Sequence, residues 1–186
     1  MTGVQTCALP IFISGYAGHP DAKLRYFLTA MGIYDQLLDK SPGNQGYRFS
    51  RAELQAGAAD LSAEAGRSEE ALQLARAGIS TLKETASGAQ ASPVELAVAA
   101  RALLETKIPA LADAKLGLVL AKRAAALDPK DSEVQEILGE AYWLNGDRPS
   151  AVEAIEQALA LIEPAPTPAR RALEKTLAQY RTAPLH

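Results

Sequence analysis

The chain has 186 residues, enough to bury a core as one domain. Apolar residues make up 48% but aromatic ones only 5%, with alanine dominant; this favours closely packed helices over a β-sandwich, which needs β-branched and aromatic side chains. A net charge of −3 without a basic stripe argues against nucleic acid as the main partner, no apolar run approaches a membrane span, and one cysteine excludes an intrachain disulfide and a zinc ligand set.

At the N-terminus, Thr2 to Ile11, TGVQTCALPI, resembles the conceptual translation of a sequencing-library adapter. The basic n-region of a secretory signal is missing. On that reading residues 1–12 are an artefact, Met1 is not the true start, and the chain is a fragment of something longer, assembled from bacterial environmental DNA. Residues 13–20, ISGYAGHP, read as a loop.

Residues 21–40 then show apolar positions at helical spacing: Leu24, Phe27, Leu28, Met31, Tyr34, Leu37 and Leu38. The run Ser41-Pro42-Gly43-Asn44 ends that helix. A second helix is predicted from Gln45 or Tyr47 to Ala65, with Leu54, Ala58, Ala59 and Leu61 inward. Gly66-Arg67 makes the turn, and Ser68 is predicted to cap a third helix reaching Thr85. After the small-residue linker 86–91, Ser92-Pro93-Val94-Glu95 combines a capping box with proline at the first helical position. That fourth helix runs to Thr106, and Ile108-Pro109 breaks it. A fifth is predicted from Leu111 to Leu127.

The strongest pattern lies in residues 131–161, two amphipathic helices around Asn145-Gly146-Asp147. Ser132 and Gln135 are spaced as a capping box for the first, and Pro149 fits the first turn of the second. Small residues Gly139 and Ala151 suit a close helix approach. A last helix, residues 167–181, is more charged, as expected of a terminal cap.

Leu138-Gly139, Tyr142, Ala151, Ala158 and the upstream Pro129 resemble the spaced residues of the tetratricopeptide repeat, with Gln135 in place of its Trp and Ile155 in place of its later Phe. The turn EAGRSEEAL at Glu64 to Leu72 aligns with LNGDRPSAV at Leu144 to Val152, placing Gly66 on Gly146 and Ala71 on Ala151. The break at Lys107-Ile108-Pro109 falls near the midpoint, so the implied period is roughly 40 residues, within the range of helical solenoids. The resemblance implies an all-α, right-handed α-solenoid of about eight helices across residues 21–181, with hairpins near 45–86, 92–127 and 131–162, a capping helix at 167–181 and an unpaired first helix. The order of pieces also resembles the repeat region that follows the catalytic domain of many bacterial serine/threonine protein kinases. No Gly-rich phosphate loop, His-Arg-Asp loop or Asp-Phe-Gly is present in the chain.

No catalytic site is expected. His19 and His186 stand outside any ligand cluster, Ser14 lacks the flanks of a nucleophile elbow, and Glu105 with Asp113 is a carboxylate pair without an acid–base partner. No cofactor or metal is expected either. In a solenoid of this type the first helix of each pair lines the concave face. That places Glu133, Glu136, Glu140 and Trp143 there in the last pair, and Glu53, Asp60 and Glu64 in the first full pair. Such an acidic groove is expected to take a basic peptide, with Trp143 as anchor; the alternative places Trp143 in the core against the last helix, with the glutamates merely solvated. The function expected is a non-catalytic, cytoplasmic protein–protein interaction scaffold, part of a larger bacterial signalling protein. Alternatives are a free-standing or secretion-related repeat scaffold and an α-helical enzyme.

Overall fold

The computed structural model describes residues 20–182. The expectations for residues 1–19, including the adapter-like stretch, Ser14 and His19, and for His186 lie outside them. Among the described residues all regular structure is helical. Eight α-helices run in chain order: α1 Pro20–Lys40, α2 Gln45–Glu64, α3 Ser68–Ser87, α4 Pro93–Glu105, α5 Ala114–Leu127, α6 Ser132–Leu144, α7 Arg148–Leu161 and α8 Pro168–Thr182. Cα proximity divides the chain, treated above as one repeat domain over 21–181, into two compact units, with the line after Gly78, inside α3.

In the first unit α1 packs against α2. Leu24, Met31, Leu54, Ala58 and Leu61 form its core, flanked by Phe27, Tyr34 and Leu74 of α3. Leu28, expected on the inner stripe of α1, is 37% exposed. The α2–α3 turn is a Schellman motif: Arg67 N donates to Ser62 O at 2.8 Å and Gly66 N to Ala63 O at 3.0 Å, with Gly66 at φ +75°. Ala71, one helical turn on, is fully buried. Ser68 is the first residue of α3 rather than its cap, because Arg67 O already accepts from Ala71 N. The two helices touch backbone to backbone. A Cβ on Gly78 would lie 2.8 Å from Ala52 O.

In the second unit consecutive helices pack in order from α4 to α8, and α4 also packs on α6. Leu82, Leu96, Leu103, Ile137 and Ile155 are its largest fully buried side chains. The α6–α7 turn repeats the first one atom for atom. Asp147 N donates to Tyr142 O and Gly146 N to Trp143 O, both at 3.0 Å, with Gly146 at φ +79° and Ala151 fully buried. The glycine alignment in the sequence therefore reflects one turn geometry used twice. Gly139 meets α7 closely, since a Cβ there would lie 2.7 Å from Ile155 Cδ1.

Two further helix starts differ from expectation. The cap of α6 is Asp131, whose carboxylate accepts from Glu133 N and Val134 N. An anion there satisfies two orphan donors and meets the positive helix end. Ser132 is displaced to the first helical position, and Gln135 is buried with Nε2 donating to Pro129 O at 3.1 Å. The helix expected from Leu111 begins at Ala114, because Pro109–Leu111 forms a 3₁₀ turn and Asp113 caps α5 through Leu116 N.

Candidate functional site

Residues 133, 136, 140 and 143 recur at helical spacing, so α6 carries Glu133, Glu136, Glu140 and Trp143 on one side. Two neighbouring helices complete this surface. From α4 come Arg101 and Glu105, one turn apart. Arg101 Nη1 lies 2.6 Å from Glu133 Oε1, and its Nε lies 3.5 Å from Glu105 Oε1. From α8 comes Tyr180, a buried residue whose ring stacks on Trp143 with centroids 4.3 Å apart and planes 6° apart.

Between α6 and α8 this arrangement lines an open cavity of about 380 Å³. Glu136, Glu140 and Trp143 line it from α6, Thr176, Gln179 and Tyr180 from α8, and Ile155 of α7 adds an apolar patch. The cavity combines carboxylates, neutral hydrogen-bonding groups and aromatic surface. That set suits a cation carrying some apolar surface.

The electrostatics follow from crowding. Burial pushes the Glu140 carboxyl up to about 7, helped by the Glu105 charge and a hydrogen bond to Glu105, against the pull of Arg101. Glu136 is also raised, by burial first, with Glu133 and Glu105 adding to it and Arg101 opposing. Tyr180 is pushed up to about 12 by burial and by the charges of Glu140 and Glu136. Burial opposes the charge on Arg101, but Glu133, Glu105 and Glu136 outweigh that, so the guanidinium is held protonated more firmly than usual.

Of the expected groove residues, the structure brings Glu136, Glu140 and Trp143 to one cavity. Glu133 is exposed and paired with Arg101, so one end of the acidic row is neutralised. Glu53, Asp60 and Glu64 lie along α2 in the first unit, with Glu53 and Glu64 exposed and Asp60 partly so. Trp143 packs on the final helix, where its ring stacks on Tyr180, and it also lines the cavity. Tyr142 is half-buried, with Lys122 Nζ 5.0 Å from its ring centroid.

Glu105 does not pair with Asp113. Asp113 is spent on capping α5, and Glu105 faces Arg101, whose Nε lies 3.5 Å from its Oε1. Arg101 and Tyr180 are the site residues that the sequence reading missed, and Glu105 was weighed there only beside Asp113. The i, i+4 spacing of Arg101 and Glu105 was a visible signal, as was the i, i+4, i+7 stripe Leu173, Leu177, Tyr180.

Among the described residues no group of three or more His, Cys, Asp or Glu is arranged to hold a metal ion, and no helix is long and apolar enough to cross a membrane. No protein-family model and no curated protein matches the chain.

Proposed function

We propose that the chain is a non-catalytic interaction module of the helical-repeat type, and that the cavity between α6 and α8 receives a cationic side chain of a partner peptide. The observation that carries this reading is the coincidence, in one cavity, of Glu136 and Glu140 with the stacked Trp143–Tyr180 pair. A guanidinium suits it better than a compact ammonium. Its planar face is weakly hydrated and stacks on aromatic surface, while its edge donates to two carboxylates. The repeated Schellman turn and the in-order packing of α4 to α8 support an α-solenoid of tetratricopeptide type, a fold built for peptide capture. The resemblance to the repeat regions of bacterial signalling kinases supports a role within a larger signalling protein.

Trp143 is the chain's one tryptophan, so its fluorescence reports the cavity directly. A tetra-arginine peptide is expected to quench it, and a tetra-glutamate peptide to leave it unchanged. The quenching weakens with added salt, because the partly exposed charges are screened over roughly 10 Å at 0.1 M. The Glu136→Lys, Glu140→Lys double variant abolishes it at unchanged helicity. Equal response to both peptides, or a double variant that binds like the parent, overturns the reading.

A further inference from the structure

Leu144 ends α6 and lines the cavity, yet it is 46% exposed, a large apolar side chain left facing water. Its place along the helix relates it to the carboxylates. Glu136, Glu140 and Leu144 follow one another at four-residue steps, each on the same side as the last and about 6 Å further along the axis. Side chains two residues apart on an extended strand also share one face, at a spacing of about 6–7 Å. The carboxylates are uncommitted: the Arg101 guanidinium is divided between Glu105 and Glu133, and neither Glu136 nor Glu140 has an ion-pair partner among the described residues. The wall opposite is neutral. Thr176 and Gln179 come from α8, and neither side chain is engaged in a hydrogen bond among the described residues.

We propose that the partner is an extended segment in which an arginine is accompanied, two residues away, by a large aliphatic side chain that packs on Leu144, a specificity that rests on the cation-site reading above. The guanidinium meets Glu136, Glu140 and the Trp143 ring. The residue next to it in the segment points away from α6, and the aliphatic side chain beyond covers Leu144. Thr176 and Gln179 offer a hydroxyl and a carboxamide to the segment's backbone N–H and C=O groups, which lose water on docking and need partners. A small isolated cation uses the carboxylates but leaves Leu144 in water and the neutral wall idle. An arginine among polar neighbours leaves Leu144 uncovered in the same way.

The test uses the full chain, Trp143 emission and pentapeptides blocked at both ends. Leu-Gly-Arg-Gly-Leu, with leucine two residues to either side of arginine, is expected to bind about tenfold more tightly than Gly-Gly-Arg-Gly-Gly, as removing roughly 55 Å² of apolar surface from water gives. Gly-Leu-Arg-Leu-Gly has the same composition but carries its leucines on the far face of an extended strand. It is expected to bind no better than the leucine-free peptide. The Leu144→Ala variant, its helicity confirmed by far-UV circular dichroism, is expected to bind Leu-Gly-Arg-Gly-Leu and Gly-Gly-Arg-Gly-Gly alike. Equal affinity of the parent for those two, the same gain from adjacent leucines, or a preference that survives Leu144→Ala overturns the proposal and leaves the cation site standing. If Leu-Gly-Gln-Gly-Leu binds as tightly as its arginine counterpart, or no peptide changes the emission, the cation reading falls and the proposal with it.

Discussion

Glycine 78 shows how little room the helix contacts leave. A Cβ there would lie 2.8 Å from Ala52 O and 3.0 Å from Ala56 N, both backbone atoms that cannot swing aside. The helix-propensity gain of alanine over glycine, up to about 1 kcal/mol, therefore works against overpacking of about 1–3 kcal/mol. Gly32, in the middle of α1, has nothing within 4 Å of the same position. In urea unfolding, Gly78→Ala is expected to lower the midpoint and Gly32→Ala to raise it. The reverse order would show that α2 and α3 are further apart than described. Sequence reading marked Gly139 as a close contact but passed over Gly78. Only the neighbour across the contact distinguishes a packing glycine from a tolerated one.

At the scale of helices, most starts and stops were legible because local chemistry decides them. The two Schellman turns and the Ser92–Glu95 capping box formed where their residues indicated. The caps of α3 and α6 did not, because adjacent candidates compete and a pattern cannot rank them. Serine follows a residue whose carbonyl already closes the first turn of α3, and it follows an aspartate at α6. The competition at α6 has a measurable outcome. Asp131→Ala removes an acceptor from Glu133 N and Val134 N and is expected to cost about 0.5–2 kcal/mol. Ser132→Ala, inside the first turn, is expected to change stability by less than about 0.5 kcal/mol. Equal losses in thermal unfolding would mean that the two side chains share the cap.

The same limit, at the scale of the molecule, decided how much of the site was readable. The row Glu133, Glu136, Glu140, Trp143 lies on one helix, so periodicity alone exposed it. Arg101, Glu105 and Tyr180 reach it from two other helices. Their arrival depends on how α4 and α8 pack around α6, which spacing along the chain does not encode. The expected acidic row also changes character once they are included: Arg101 takes up Glu133, burial and the neighbouring Glu105 charge raise the pKa of Glu140, and the aromatic end becomes a stacked pair. What remains for a partner is an open cavity lined by Glu136, Glu140 and the stacked rings.

The position of that cavity is tested most directly by the single indole N–H resonance of Trp143 in an ¹⁵N-labelled sample titrated with tetra-arginine peptide at pH 8. The indole signal and the backbone amides of residues 136–144 and 176–180 are expected to shift together, in a salt-sensitive way, with little change at residues 53–64. Shifts centred on Glu53, Asp60 and Glu64, with the indole signal unmoved, would contradict the assignment and place the cation-binding surface on α2.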